Sequence, residues 1–152
     1  MCGISGSGKT FYAQKLEENE GYIRLSTDKL IWDKVGERLY DLPDEEKHRL
    51  FALCRQEILD QLEALLKSGR KVVVDATHCK RKARDEMRDL CARAGVKPVF
   101  AYCDASREEL WQRLSQRKGT GADDLIVTQK EFSQYWQGFE RPQSDESDFI
   151  LI

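Results

Sequence analysis

The stretch Gly3-Ile4-Ser5-Gly6-Ser7-Gly8-Lys9-Thr10 has the residue types and spacing to hold a phosphate chain: Gly, four free positions, then Gly-Lys-Thr. A triphosphate needs backbone N–H groups turned inward at several points, and glycine allows both the positive φ angles and the close approach that this requires. Lys9 supplies a point charge for the outer phosphates, Thr10 a hydroxyl for Mg²⁺, and the helix that starts here aims its positive end at the anion. The expected nucleotide contacts are Gly3, Ser5, Gly6, Ser7, Gly8, Lys9 and Thr10.

Phosphoryl transfer asks a protein to hold the transferred group, neutralise its charge and place an acceptor for the proton of the attacking oxygen. Asp28 and Asp75 each close a short apolar run and are candidates for the proton-accepting and metal-holding tasks. The ordinary alternative for Asp28 is a helix N-cap. Arg113 and Arg117 lie one helical turn apart beside Gly119 and Gly121, a pattern that suits a lid closing over phosphates, against the alternative of a solvated face. Lys80, Arg81, Lys82, Arg84 and Arg88 follow Asp75, interleaved with Asp85, Glu86 and Asp89; Arg84 is a candidate substrate contact.

These residues need a frame. The sequence predicts a helix over 9–19 ended by Gly21, a strand over 22–25, and a helix opened by Ser26-Thr27-Asp28 and ended by Gly36. Pro43 starts a long helix whose stripe is Leu50, Leu53, Cys54, Ile58, Leu62, Leu65 and Leu66. A strand over 71–75, a helix over 80–94 and a strand over 96–103 follow. Ser106-x-x-Glu109 and Thr128-x-x-Glu131 are capping boxes for two more helices. Gly119 to Ala122 reads as a mobile loop, 142–148 as a linker, and Phe149 to Ile152 as a last strand. Strands alternating with helices imply an α/β fold with a parallel sheet covered on both faces, and ligands gathering at the carboxyl ends of the strands. Only Met1 and Cys2 precede the phosphate loop, so the strand expected there is very short or cut off, and a piece of something longer is left open.

The chain of 152 residues suits a single domain spanning 1–152, with a lid at about 113–124. No apolar run approaches a membrane span and no signal peptide is seen, so the expected location is cytoplasmic, and the five scattered cysteines read as reduced thiols without a zinc pattern. A net charge of −2 gives no overall attraction to nucleic acid.

Taken together, the phosphate loop, Leu25-Ser26-Thr27-Asp28, Val73-Val74-Asp75-Ala76-Thr77 followed by Arg84, and the pair Arg113 and Arg117 resemble the kinase module of polynucleotide 5′-kinases and their zeta-toxin-like relatives. The resemblance spans nearly the whole chain. It implies an adenylate-kinase-like P-loop fold binding ATP and Mg²⁺, with Lys9 on phosphate, Thr10 and Asp75 at the metal, Asp28 accepting the proton of the substrate hydroxyl, and lid arginines at Arg113 and Arg117. Two positions depart from the pattern: Ile31 stands where polynucleotide kinases carry Arg, and His78 where the family carries Asn. A nucleic-acid acceptor would then rest on Lys29, Lys34 or the basic turn from Lys80 to Arg84. The leading expectation is an ATP-dependent kinase acting on a polynucleotide 5′-hydroxyl. A small-molecule or nucleotide-sugar kinase is the first alternative and a non-catalytic nucleotide-binding switch the second. The sequence leaves the oligomeric state open.

Overall fold

The computed structural model describes residues 1–152. Strand β1 (Ile23–Ser26) pairs in parallel with β2 (Val72–Asp75), and β3 (Phe100–Tyr102) with β4 (Phe149–Leu151). Between these two ribbons lies the dipeptide Met1-Cys2. Met1 N donates to the Val74 carbonyl (2.9 Å), Cys2 N to Ala101 (2.8 Å), and Cys103 N to the Cys2 carbonyl (3.0 Å). The spatial order is therefore β1, β2, residues 1–2, β3, β4, with the short strand expected before the phosphate loop at its centre.

The inner strands are mostly apolar because both faces are covered, whereas Ile150 and Leu151 of the edge strand β4 stay exposed. Leu25, Cys2 and Phe100 face Ile58 and Leu62 of α3 (Asp44–Lys67) and Met87, Leu90 and Cys91 of α4 (Arg81–Arg93). On the other face Val73, Ala101 and Cys103 pack with Ala13 of α1 (Lys9–Glu20). Ile4 joins Leu110 and Leu114 of α5 (Arg107–Leu114) and Phe132 of α6 (Gln129–Gly138). Helix α2 (Thr27–Val35) follows β1 directly. Both expected capping boxes form, Ser106 with Glu109 and Thr128 with Glu131. Two expectations fail locally. Leu53 is 69% exposed, because the inward line of α3 runs through Cys54, Ile58 and Leu62, and Leu53 lies off that stripe. The strand expected over 96–103 shortens to Phe100–Tyr102, the length over which β4 and Cys2 offer backbone partners.

The segment 142–148 is no linker. Glu146, buried, accepts from Nε and Nη2 of Arg84 (2.8 and 2.7 Å) and from Nη2 of Arg88 (2.9 Å), while Asp148 accepts from Nε and Nη2 of Arg88 (2.7 Å each) and Asp145 from Nη1 of Arg81 (2.9 Å). The basic side of α4 thus clamps an acidic strap that delivers β4 to the edge of the sheet. Arginine neighbours hold the Glu146 carboxyl well below the usual range, at about 2.

After β2 the chain turns through His78, the one non-glycine residue with positive φ (40°). Asn and His are among the few side chains tolerated there. Its buried Nδ1 sits 2.7 Å from the Met1 carbonyl, so that nitrogen carries the proton, and the ring packs edge-on against Phe100. Burial, aided by nearby positive charge, lowers its pKa to about 3. Between pH 6.5 and 3 an unfolded chain binds a proton that the native ring refuses, so stability falls on acidification, by about 1.4 kcal/mol per pH unit. Denaturant melts at pH 7 and pH 5 should therefore differ by about 2 kcal/mol from this residue, and His78→Asn should remove that part of the slope; an unchanged slope would show that His78 is charged in the fold.

Candidate active site

The phosphate loop runs from the central dipeptide into α1. Gly3, Gly6 and Gly8 all have positive φ (141°, 85° and 100°), and a Cβ on Gly3 would stand 2.6 Å from the Cys103 carbonyl oxygen. Glycine at position 3 is therefore required by packing as well as by conformation. Helix α1 begins at Gly8 with no side-chain cap and no acidic residue in its first turn. The other helix starts are neutralised: Ser26 caps α2, three acids crowd the first turn of α3, Glu140 accepts from the first N–H of α4, and capping boxes close α5 and α6. The α1 terminus alone keeps its N–H groups and positive dipole end for an anion. Lys9 is buried beneath the loop, its Nζ donating to the Ile4 carbonyl (2.8 Å), and burial lowers its pKa.

Asp28 lies in the first turn of α2, but the capping task belongs to Ser26, whose hydroxyl accepts from Lys29 N (3.2 Å). The Asp28 carboxylate is thus free of the role that would have explained it structurally. It opens to solvent, yet crowding by the cleft wall raises its pKa, with Asp75 adding to the rise and Lys9 and Arg117 opposing it. Tyr135 of α6 lies near enough to feel the same charge. Asp75, at the end of β2, is buried, and its Oδ2 accepts from Nη1 of Arg24 (3.0 Å). The phosphate loop, Asp28 and Asp75 therefore meet at the carboxyl edge of the sheet, as the alternation of elements implied.

Thr10 and Asp75 suit a Mg²⁺ ion. Both are hard oxygen donors, and Oδ1 of Asp75 is left unengaged by Arg24. Such an ion takes one or two protein oxygens and fills its shell with phosphate and water, so the lack of a cluster of three or more acidic, His or Cys groups suits it.

Arg113 Nη1 donates to the Gly6 carbonyl of the loop (3.2 Å), and Arg117 Nη1 to the Leu125 carbonyl (3.1 Å). The segment after α5, expected to be mobile, is tied down. Asp124 accepts from Lys118 N (3.0 Å), Leu125 is buried with Ile31, Leu39 and Cys54, and Asp123 of the 3-10 turn Ala122–Asp124 accepts from Gln14 of α1 (3.0 Å).

One expectation is corrected. Arg84 is not a substrate contact: its guanidinium is fully buried, with Nε and Nη2 on Glu146 and Nη1 on the carbonyls of His78 and Glu140 (3.2 and 2.9 Å). Ile31 is fully buried in the core beside α2 and α3. Sequence reasoning also passed over Arg24 and Asp123. The visible signal for Arg24 was a lone cation inside the apolar run Ile23-Arg24-Leu25; Asp123 left none.

A family model described as an AAA domain matches residues 1–142. A "Probable gluconokinase" of Schizosaccharomyces pombe is 29% identical over 160 residues, an alignment covering 100% of this chain and 77% of that protein. Among solved structures, a gluconokinase from Sinorhizobium meliloti 1021 aligns with a TM-score of 0.67 at 22% identity, covering 99% of this chain and 78% of the other. A sugar kinase from Janibacter sp. HTCC2649 aligns with a TM-score of 0.64 at 22% identity, covering 99% and 81%. The expected P-loop kinase fold is met; a polynucleotide acceptor finds no support among these relatives, and the small-molecule alternative is the better backed. No helix is long and apolar enough to cross a membrane. With its phosphate loop, Asp28 and Asp75 on one edge of a parallel sheet, the chain belongs to this AAA domain family and is an ATP-dependent kinase that phosphorylates a hydroxyl.

Proposed function

We propose that this kinase transfers the γ-phosphate of ATP to a hydroxyl of a small sugar acid, with gluconate the first acceptor to test. Asp28 carries the reading: a carboxylate with no cap to make, beside the phosphate loop, its pKa raised by the crowded cleft wall and by Asp75. Asp28 takes the proton of the attacking hydroxyl. Lys9, Arg113 and Arg117 oppose the charge that spreads over the transferred oxygens, Arg117 with a fork that suits two of them at once. Thr10 and Asp75 would hold Mg²⁺, which supplies charge neutralisation between the outer phosphates.

The size of the acceptor follows from what surrounds the cleft. Most of the cations that could track a nucleic-acid backbone are already paired: Lys29 with Asp33, Lys34 with Glu57, Lys80 with Glu140, Arg81 with Asp145, and Arg84 with Glu146, while Lys82 stands exposed. A polynucleotide would have to displace several of these, whereas a small polyol needs none of them. The names of the aligned relatives, gluconokinases and a sugar kinase, favour the same choice.

The test is transfer from γ-labelled ATP to a panel of gluconate, glucose, glycerol, nucleosides and a 5′-hydroxyl oligonucleotide. Gluconate should be labelled with kcat/KM of about 10⁴ M⁻¹s⁻¹ or more, a typical value for a cognate substrate. An oligonucleotide labelled more efficiently than gluconate would overturn the proposal, as would ATP consumption unaffected by every acceptor.

A further inference from the structure

Arg24 sits in the middle of β1, where Ile23 and Leu25 serve the core and an aliphatic residue would pack as well. Its side chain is only 9% exposed, and a guanidinium so enclosed needs partners. It has three, each from a different element: Glu17 of α1 at 3.3 Å from Nε, Asp75 of β2 at 3.0 Å and Asp123 of the lid at 3.5 Å, the last two sharing Nη1. Gln14 of α1 grips the second oxygen of Asp123 (3.0 Å).

The rest of the lid is held differently. Asp124 folds the loop on itself through Lys118 N and Thr120 N, Leu125 is buried beside Ile31, and Ile126 N donates to the Tyr40 hydroxyl (3.3 Å). These anchors root the lid beside α2. Asp123 is the side chain of this segment that reaches across to α1 and β1.

We propose that Arg24 is a positioning residue that couples the lid to the active-site carboxylate: it fixes Asp75 through Oδ2, leaving Oδ1 unengaged, and latches the segment 118–126 through Asp123. With the lid down, the guanidinium divides its charge between Asp75 and Asp123; with the lid up, Asp75 has it without that rival. Lid closure and the free negative charge of Asp75 are linked, and by reciprocity whatever draws on that charge also favours closure. The latch itself stands independently of the sugar-acid reading; only its catalytic consequence rests on the kinase mechanism above.

The test separates the two. In the free protein, without nucleotide or metal, trypsin cleavage after Lys118 reports how often the lid opens. Asp123 is 40% exposed, so its substitution leaves the core alone. Asp123→Ala should raise the nicking rate at Lys118 about tenfold, and Asp123→Glu should restore most of the protection. Arg24→Gln should raise it similarly, and the double variant should be no faster than the faster single one, because both remove the Arg24–Asp123 contact. In turnover, Asp123→Ala should raise the share of ATP hydrolysed by water relative to transfer, a change that a purely structural ion pair would not produce. Unchanged nicking in Asp123→Ala, or additive effects in the double variant, would overturn the latch. Faster nicking with an unchanged hydrolysis share would overturn its coupling to the chemistry.

Discussion

Asp28→Asn is expected to lower kcat by about 10²- to 10⁴-fold, the usual contribution of a positioned general base, while ATP binding and the melting temperature stay near those of the unmodified protein. The separation is clean because Ser26 caps α2. An amide in the first turn forgoes only a charge–dipole attraction of about 0.3–1 kcal/mol. Crowding by the cleft wall and Asp75 raise the Asp28 pKa above its ordinary 3.8, so the acid limb of the kcat profile should lie above that value, activity rising with pH as the base loses its proton. Asp28→Asn turnover within a factor of ten of the original would remove Asp28 from the chemistry.

Glu146→Ala is expected to be the most destabilising single change outside the hydrophobic core, at about 3–5 kcal/mol, because it leaves the Arg84 guanidinium buried and unpaired. Arg88 loses a partner as well. For a domain this size the loss corresponds to a fall of roughly 6–20 °C in Tm. Replacing both partners by apolar residues, Arg84→Met with Glu146→Leu, should recover most of it, since no stranded charge remains. The stabilisation is fully present above pH 4.5 and fades as pH falls towards 2, where the Glu146 carboxyl takes up its proton. A Glu146→Ala protein that melts within 2 °C of the original would mean that the strap contributes nothing to stability.

The sequence made the phosphate loop, both capping boxes and the alternation of elements legible, because each is a local pattern with a local cause. Gly3, Gly6 and Gly8 can be interpreted from spacing alone, and the sheet rule brings Asp28 and Asp75 to the same edge. The strap was illegible for the opposite reason. Pro142 to Asp148 is polar and short, and the arginines of α4 look like a solvated face until a segment some sixty residues away supplies their partners. Likewise the cap on α2 falls on Ser26 and not Asp28, a choice made by the backbone geometry of the β1–α2 corner. Arg84 misled because resemblance and spacing carry no information about which way a side chain turns.

The dipeptide that carries the phosphate loop is also the seam of the sheet. Without Met1 and Cys2 the ribbons β1–β2 and β3–β4 share no backbone ladder. These residues leave the ribosome about a hundred positions before Ala101 and Cys103, a wait of roughly 5–20 s at ordinary synthesis rates. The bond from Met1 to Val74 can form earlier, but the sheet closes across the dipeptide only once Ala101 and Cys103 have been made.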